Sequence, residues 1–537
     1  MKANKWTSMV LVAAMTVPVL AACGKDDAGT TANADEAKGN LNATGFPIVK
    51  EPIKLKFLAP SSTTPDWNDV LIFNEYEKMT NMDIQWEMID EKALKEKTNL
   101  MLASGEYPEA LHSAGLTTKD LIKYGSQGVF LPLNDLIDKY APNFKALLDK
   151  YPAIRKGLTM PDGKIYSFPR VFDPNFTSVN MGTKLWLNKQ FLDKVGMKEP
   201  TTTEEFYQFL KATKENDLNG NGKKDEIPLA TSGDTSLINM FKGAYGLGNR
   251  GTLHPYVDMD PTSNKLRFIP ADKNFKQLLE YLNKLYKEGL INQDLYTVKS
   301  EEVYARANQG LFGAVMTTNP RTAYGLDYYI GSPTLKGPNG DKLYSNYKAS
   351  LVNIGAFVLT DKNTNPEATV RWIDYFYGEE GSKLFFMGIE GKTYEKKPDG
   401  SVDYTDLINK NPDGLNYTQA ISKYLTWRSS GYPAIVMEDY FKGSEGQPDS
   451  VEAAAKVKAD LPKELWEPFN FTNEENELMS TLGADIGNYV TEMQAKFITG
   501  QVSLNEWDNY VNTLNKMGLD RYMKAYEAAY GRYSQSK

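Results

Sequence analysis

Ile53-Lys54-Leu55-Lys56-Phe57 is followed by Asp66-Trp67, by an amphipathic run to about Met79, and then by alternating Ile84, Trp86 and Met88. Apolar residues at every second position describe a strand with one buried face, so 53–57 and 84–88 read as strands and the run between them as a helix. A second helix is predicted over Glu91 to Ala103, and Tyr107-Pro108-Glu109-Ala110-Leu111 leads into a third strand. Parallel neighbours need a connection long enough to hold a helix, so strand, helix, strand, helix, strand opens a parallel, doubly wound sheet. The expected fold class is α/β.

Upstream, Lys2 and Lys5 precede the apolar stretch Met9 to Leu20, which ends in Leu20-Ala21-Ala22-Cys23-Gly24. The stretch is too short to span a bilayer comfortably and has the layout of a cleaved signal. Cys23 is the single cysteine of 537 residues. Small residues before it resemble the bacterial lipobox, which implies a signal peptide over 1–22, cleavage after Ala22 and an acyl (palmitate-type) lipid anchor on Cys23. An ordinary signal with an incidental cysteine is the alternative. Residues 23–45 hold almost no large apolar side chains, so they read as a disordered tether. The mature chain is expected outside the cytoplasm, held to the outer face of the cell membrane.

Composition narrows the function. With 41% hydrophobic, 24% charged and 12% aromatic residues, the chain reads as soluble and globular. With no second cysteine, stability must come from burial, which this length can supply in two or more lobes. A net charge of -8, with no basic runs interleaved with aromatics, argues against nucleic acid. Two histidines, His112 and His254, leave little material for histidine-based zinc sites or nucleophilic triads. The 69 Asp and Glu residues keep a carboxylate-pair hydrolase open as the main rival.

Several blocks carry a family resemblance: Leu102-Ala-Ser-Gly-Glu-Tyr-Pro-Glu109, Leu133-Asn-Asp-Leu-Ile-Asp-Lys-Tyr-Ala-Pro142, Asp162-Gly-Lys-Ile-Tyr-Ser-Phe-Pro169 and Leu185-Trp-Leu-Asn-Lys189. Asn365 to Gly381 and Gly388-Ile-Glu-Gly391 belong with them. Together they resemble extracellular solute-binding proteins of family 1, in the subgroup of large Gram-positive lipoproteins of oligosaccharide ABC importers. The resemblance implies a two-lobe, periplasmic-binding-protein-like fold of type II, similar to the maltose-binding type, with a sugar enclosed between lobes joined by several crossings. On that plan lobe 1 takes 46–181 and 353–410, and lobe 2 takes 182–352 and 411–537 with the C-terminal helices. The crossings fall in Asn180–Lys189, Val352–Thr360 and Asn411–Tyr417. The partners implied are an oligosaccharide and the membrane permease subunits, and the chain is expected to be a monomer.

Asp217-Leu-Asn219-Gly-Asn221-Gly222-Lys223-Lys-Asp225-Glu226 follows a helix predicted from about Thr203 to Lys214. Oxygen side chains at loop positions one, three, five and nine, with glycine at six, are the pattern by which a short loop wraps calcium. Position twelve is Pro228, so Glu226 at ten would have to supply the last carboxylate. The alginate-binding relatives share that departure, which implies Asp217, Asn219, Asn221, the Lys223 carbonyl, Asp225 and Glu226 as ligands of a structural calcium. A plain Asn-Gly turn is the alternative.

Sugars present apolar C–H faces rimmed by hydroxyls, so their sites combine aromatic plates with polar groups. Ligands of doubly wound sheets meet the loops at the carboxyl ends of strands. That rule selects Asp66 and Trp67, although Trp67 could equally staple the following helix. Arg170 and Trp186 lie near the first crossing, with a core role equally open for Trp186. Asn319 and Arg321 follow a strand predicted over Leu311 to Met316, and Tyr417, Tyr424, Trp427 and Arg428 cluster near the last crossing. Trp372 and Trp507 read as core. The primary expectation is a non-enzymatic binding protein that delivers an oligosaccharide to a permease. A calcium-dependent polysaccharide-degrading enzyme and a cell-surface sugar sensor are the alternatives.

Overall fold

The alternation at Ile53 to Phe57 matures into a nine-residue strand whose odd residues Leu55, Phe57 and Ala59 enter one core, while Leu58 enters another on the opposite face. A computed structural model describes residues 39–61, 66–427 and 432–535. Its strands are β1 (Ile53–Ser61), β2 (Met82–Asp90), β3 (Ala110–Leu116), β4 (Phe168–Phe172), β5 (Lys184–Asn188), β6 (Ile227–Ala230) and β7 (Val257–Met259). They continue as β8 (Leu266–Phe268), β9 (Phe312–Thr317), β10 (Tyr329–Gly331), β11 (Leu351–Leu359), β12 (Tyr394–Lys396), β13 (Val402–Tyr404) and β14 (Ile435–Val436).

Two sheets organise the chain. The first has the order β14-β4-β11-β3-β1-β2 and the second β10-β5-β9-β6, with β7-β8 and β12-β13 as separate hairpins. β1 pairs in parallel with both β2 and β3, as the opening stretch predicts. Helices Glu91–Ser104 and Thr203–Glu215 match their predicted spans, whereas the helix expected to open at Asp66-Trp67 starts only at Leu71 and runs to Thr80, after a short turn at Trp67–Asp69 and the extended Val70. In the first sheet only β11 runs against its neighbours, and in the second only β5 does. Each of these reversed strands is the first strand after the chain changes lobe, so the carboxyl ends of all the others turn toward the crossings.

The expected crossings are placed differently in detail. The first covers residues 173–183 and the second 345–350, so β11 already belongs to lobe 1. The third is not at Asn411–Tyr417. Helix Tyr417–Tyr424 buries Ala420 and Ile421 in the lobe 1 core, and β14 pairs with β4. The chain leaves lobe 1 only after Val436 and enters helix Pro448–Val457, whose Ala453 packs against Gly331 of β10 so closely that a Cβ at Gly331 would lie 2.2 Å from the alanine's own. Pairing with β4 outweighs the plan borrowed from relatives, because two strands placed in one sheet cannot belong to different lobes.

The tether is also shorter than expected. Leu41 bridges Val49, the Asn42 amide donates to the Ile48 carbonyl, and the Arg371 guanidinium donates to the carbonyls of Asn42 and Gly45. Residues 39–45 are therefore fastened to lobe 1. The signal, Cys23 and the tether up to residue 38 lie outside the described residues. No helix among the described residues is long and apolar enough to cross a membrane.

A fourth link joins the lobes. Trp466 and Phe469 belong to the lobe 2 core, while the buried Glu467 carboxylate accepts 3.0 Å hydrogen bonds from the Ser350 and Leu351 amides at the start of β11. Asn470 donates to the carbonyls of Gly157 and Thr159, closing the end of helix Pro152–Leu158. Gly157 is obligatory here, since a Cβ would come within 2.7 Å of Glu467. Burial pushes the Glu467 carboxyl up to about 7 against its two amide donors. The folded carboxyl thus holds its proton at pH values where the unfolded one, near 4.5, has lost it. The folded state then binds more protons between those values, and stability falls as pH rises through that window. Glu467→Gln cannot titrate, so denaturation at pH 5 and pH 8 should show wild type losing about 2.5 kcal/mol more than the variant over that interval. Equal losses would show that Glu467 stays ionised in the fold.

Candidate ligand-binding site

The loops that face the crossings define the site. In lobe 1 they follow β1 and β3 and include the ends of β4 and β14; in lobe 2 they follow β6 and β9. This juxtaposition of two sets of strand carboxyl ends is where an α/β protein of this kind takes a ligand.

On lobe 1, Arg170 stands out. Its guanidinium lies 5.5 Å from the ring centre of Phe172 and 5.2 Å from that of Tyr432, and its backbone pairs with Asn353 of β11. Arg170 Nε is buried with no hydrogen-bond partner. Stacked on two rings, the planar guanidinium is held in one orientation. Asp66 sits at the carboxyl end of β1, exposed, where its carboxylate caps the short helix Trp67–Asp69 by accepting from the Asn68 amide at 3.0 Å.

Trp67 is not an exposed plate. It is 2% exposed and packs edge-on against Trp86 at 5.0 Å and against His112 at 5.2 Å. Trp186 is fully buried in the second sheet, with Nε1 donating to the Thr317 carbonyl at 3.0 Å, so it belongs to the core. Asn319 is fully committed: Nδ2 donates to Asp449 and Ser450, both at 2.7 Å, and Oδ1 caps helix Pro320–Tyr324 through the Thr322 amide. These contacts tie it to the helix beyond the third crossing and leave it no donor for a ligand. Arg321 remains half-exposed, 3.4 Å from Asp449.

The predicted aromatic cluster moves with the third crossing. Tyr417 donates to the Lys442 carbonyl and packs on Tyr404, Tyr424 is half-buried beneath the Lys423 ammonium, and Trp427 is buried against Phe386 and Phe441. All three serve the lobe 1 core or its surface. Arg428 lies outside the described residues. Trp372 and Trp507 are buried, as predicted.

Sequence reasoning missed two groups on lobe 2. Tyr304 is 52% exposed with its ring centre 6.4 Å from that of Tyr324, which closes the helix after β9. Tyr296 donates to the buried Asp234 carboxylate at 3.1 Å in the loop after β6. Burial raises the Asp234 carboxyl above its ordinary value and the Tyr296 hydroxyl above its own. The strand-end rule that selected Asp66 and Trp67 would, applied to β6 and β9, have reached Asp234 and Tyr324. A cavity of about 980 Å³ along the third crossing joins lobe 1 residues Lys383 and Lys396 to lobe 2 residues Val451 and Glu452, but its one aromatic, Tyr440, is buried and donates to Glu379.

The loop Asp217–Glu226 curls as its spacing predicts. Asp217 Oδ1 accepts from the Gly220 and Asn221 amides and Oδ2 from Gly222, while Glu226 Oε1 accepts from Leu218 and Asn219. Gly220 and Gly222 take φ of +79° and +83°, conformations a side chain would strain. Leu218 is buried in the lobe 2 core, and the Lys194 ammonium donates to its carbonyl. Among the described residues no three His, Cys, Asp or Glu side chains converge as a metal-holding group, because Asp225 turns to the Asn221 amide. Glu226 Oε2 is nonetheless buried without a donor, an arrangement that suits a hard cation. The residues present fit calcium.

Two α/β lobes, joined by repeated crossings and facing each other with strand carboxyl ends, make this a two-lobe binding protein. The chain belongs to the bacterial extracellular solute-binding protein family, whose profile matches residues 72–391. It is 29% identical over 562 residues to the fructooligosaccharide ABC transporter substrate-binding protein FusA of Streptococcus pneumoniae serotype 4, covering all of both chains. It is 24% identical to the lipoprotein LipO of Bacillus subtilis, covering 97% of each. Solved structures of S. pneumoniae FusA with kestose, and of an EF-hand mutant of FusA with fructo-nystose, superpose with TM-scores of 0.72 and 0.71 at 27% and 28% identity, over 90% of this chain and 100% of each. As a member of this family the protein is an extracytoplasmic binding protein and not an enzyme.

Proposed function

We propose that this protein captures an oligosaccharide between its lobes and hands it to the permease of an ABC importer, held at the outer face of the cell membrane through Cys23. The observations that carry the reading are Arg170 stacked on Phe172 and Tyr432 in lobe 1, and in lobe 2 the exposed Tyr304 of helix Ser300–Asn308 beside Tyr324, which ends the helix after β9. A fixed cationic fork and exposed rings are what hydroxyl rims and C–H faces require. FusA's complexes with kestose and fructo-nystose, at near full-length similarity, support fructooligosaccharides as first candidates. LipO's description supports the lipid anchor. Closure would be a hinge motion, with ligand contacts from both lobes favouring the closed state.

Calcium in the Asp217–Glu226 loop is structural in this reading. The loop stands directly before β6, so holding it curled fixes the strand's entry, and the loop carries no aromatic side chain for a sugar. The unpartnered Glu226 oxygen and the EF-hand named in the FusA mutant support the assignment.

Kestose and nystose should raise the melting temperature by mass action on the folded state, whereas an acidic pectic oligosaccharide should not. Arg170→Ala should leave the ligand-free melting temperature nearly unchanged and weaken sugar binding by about 1.5–3 kcal/mol, the worth of hydrogen bonds to a charged group. A panel of neutral and acidic oligosaccharides in which none shifts the wild-type melting temperature would contradict the reading. Calcium chelation should lower the melting temperature of wild type and leave an Asp217→Ala, Glu226→Gln double variant unaffected. Equal responses would reduce the loop to a turn.

A further inference from the structure

The fourth link carries a carboxyl group between the lobes. Trp466 and Phe469 are sunk in the lobe 2 core, and Glu467 between them reaches into lobe 1. Its Oε1 accepts from the Ser350 amide and its Oε2 from the Leu351 amide, so both oxygens are spent on backbone. Ser350 ends the second crossing, and Leu351 opens β11 with its side chain in the lobe 1 core. A Cβ on Gly157 of lobe 1 would meet the Cβ of Glu467 at 2.7 Å and Leu351 Cδ1 at 2.8 Å, so this flank is packed without slack. Glu467 itself is 3% exposed. A segment rooted in lobe 2 thus holds lobe 1 backbone beside a crossing that has to turn when the lobes move.

The groups packed around it are neutral or engaged elsewhere. From the loop before β7, His254 Nε2 bonds the Glu467 carbonyl at 3.1 Å, and its ring, stacked on Phe469, is kept neutral by burial, which lowers its pKa to about 4. From helix Leu519–Gln535, the Tyr533 hydroxyl accepts from the Glu467 amide at 3.4 Å, and Arg532 pairs with Glu475. Arg250, over the Trp466 ring, lies 3.3 Å from Glu464. On lobe 1, helix Pro152–Leu158 carries Arg155, paired with Asp149, and Lys156, which lines an open cavity with Arg532. Lys348 reaches toward Gly182 of the first crossing. Burial raises the Glu467 carboxyl, the two amides oppose it, and no charged neighbour contributes. An ionised carboxylate kept from water without a cation is costly, and either a proton or water relieves it.

We propose that Glu467 couples the lobe motion to a proton: the arrangement seen here keeps the carboxyl dry and favours its neutral form, and hinge rotation, which shifts the start of β11 against segment 466–470, admits water and favours the carboxylate. The link changes with it, because a carboxylate accepts both amides, whereas a neutral carboxyl accepts well through one oxygen. Two hinge states that differ in proton affinity make any ligand that selects between them take up or release protons on binding. By the same linkage the pH outside the cell sets how tightly the sugar is held. The inference rests on the sugar-binding reading above and on its hinge motion.

Kestose carries no group that ionises near neutral pH, so protons exchanged on binding belong to the protein. Calorimetric titration at pH 7 in phosphate and in Tris, buffers of different ionisation heat, should give wild-type binding heats that differ by the equivalent of at least about 0.2 proton per sugar. The heats should agree for Glu467→Gln, and for Glu467→Met should the amide side chain fail to pack. Lys184, the other buried titratable group at the crossings, has its pKa lowered to about 8 and is intact in both variants, so an exchange of its making would persist. Wild-type heats independent of buffer, or an exchange that survives in the variants, would overturn the proposal. Failure of kestose to bind counts against the sugar reading alone, and the ligand-free protein then decides. Its small-angle scattering should differ between pH 5 and pH 8 for wild type and not for Glu467→Gln, and a wild-type curve unchanged by pH, or a variant that changes equally, would overturn the coupling.

Discussion

The structure depends on the direction of two strands. β5 and β11 are each the first strand after a crossing, and each runs against the sheet it joins. Had either entered parallel, one lobe would present strand amino ends to the crossings, and the two sets of loops could not face each other. Hydrogen bonding along these strands therefore sets which strand ends of each lobe turn to the crossings.

Around this frame the crossings are built to bend without tearing. Lys184, at the entry to β5, is buried with its ammonium donating to the carbonyls of Ser178 and Gly182, and burial lowers its pKa to about 8. Ser178 in turn donates to the Glu445 carbonyl of the third crossing. On the opposite flank Glu467 grips the start of β11 through two backbone amides. Beside these polar contacts the crossings share a small apolar cluster of Met181, Tyr347, Ala454 and Val457, separate from the two large cores. Such an arrangement permits a rigid-body hinge, because reorienting a few hydrogen bonds costs less than reopening an apolar core.

Much of this was legible in the sequence, and the rest failed for identifiable reasons. Period-two alternation at Ile53, Leu55 and Phe57 sufficed for the parallel opening, and the oxygen spacing of Asp217 to Glu226 sufficed for the curled loop. The tryptophans were misleading because proximity to a crossing does not say which face of a strand a ring takes. Trp186 lies on the buried face of a central strand and spends its N–H on Thr317, facts set by pairing with β9. The third crossing was misplaced because helix Tyr417–Tyr424 is amphipathic, and amphipathicity is silent on which lobe covers its apolar side. Tyr304 and Tyr324 went unnoticed among 32 tyrosines, since only the fold sets helix Ser300–Asn308 beside helix Pro320–Tyr324.

The central claim is that one ligand touches both lobes and draws them together. Small-angle X-ray scattering of the mature chain, with and without saturating oligosaccharide, tests it most directly, because closure about the crossings changes the molecule's dimensions while each lobe keeps its shape. The account predicts a smaller radius of gyration and a shorter maximum dimension with sugar bound. Scattering curves that superimpose while calorimetry shows the sugar fully bound would contradict it, and would place the ligand on a single lobe.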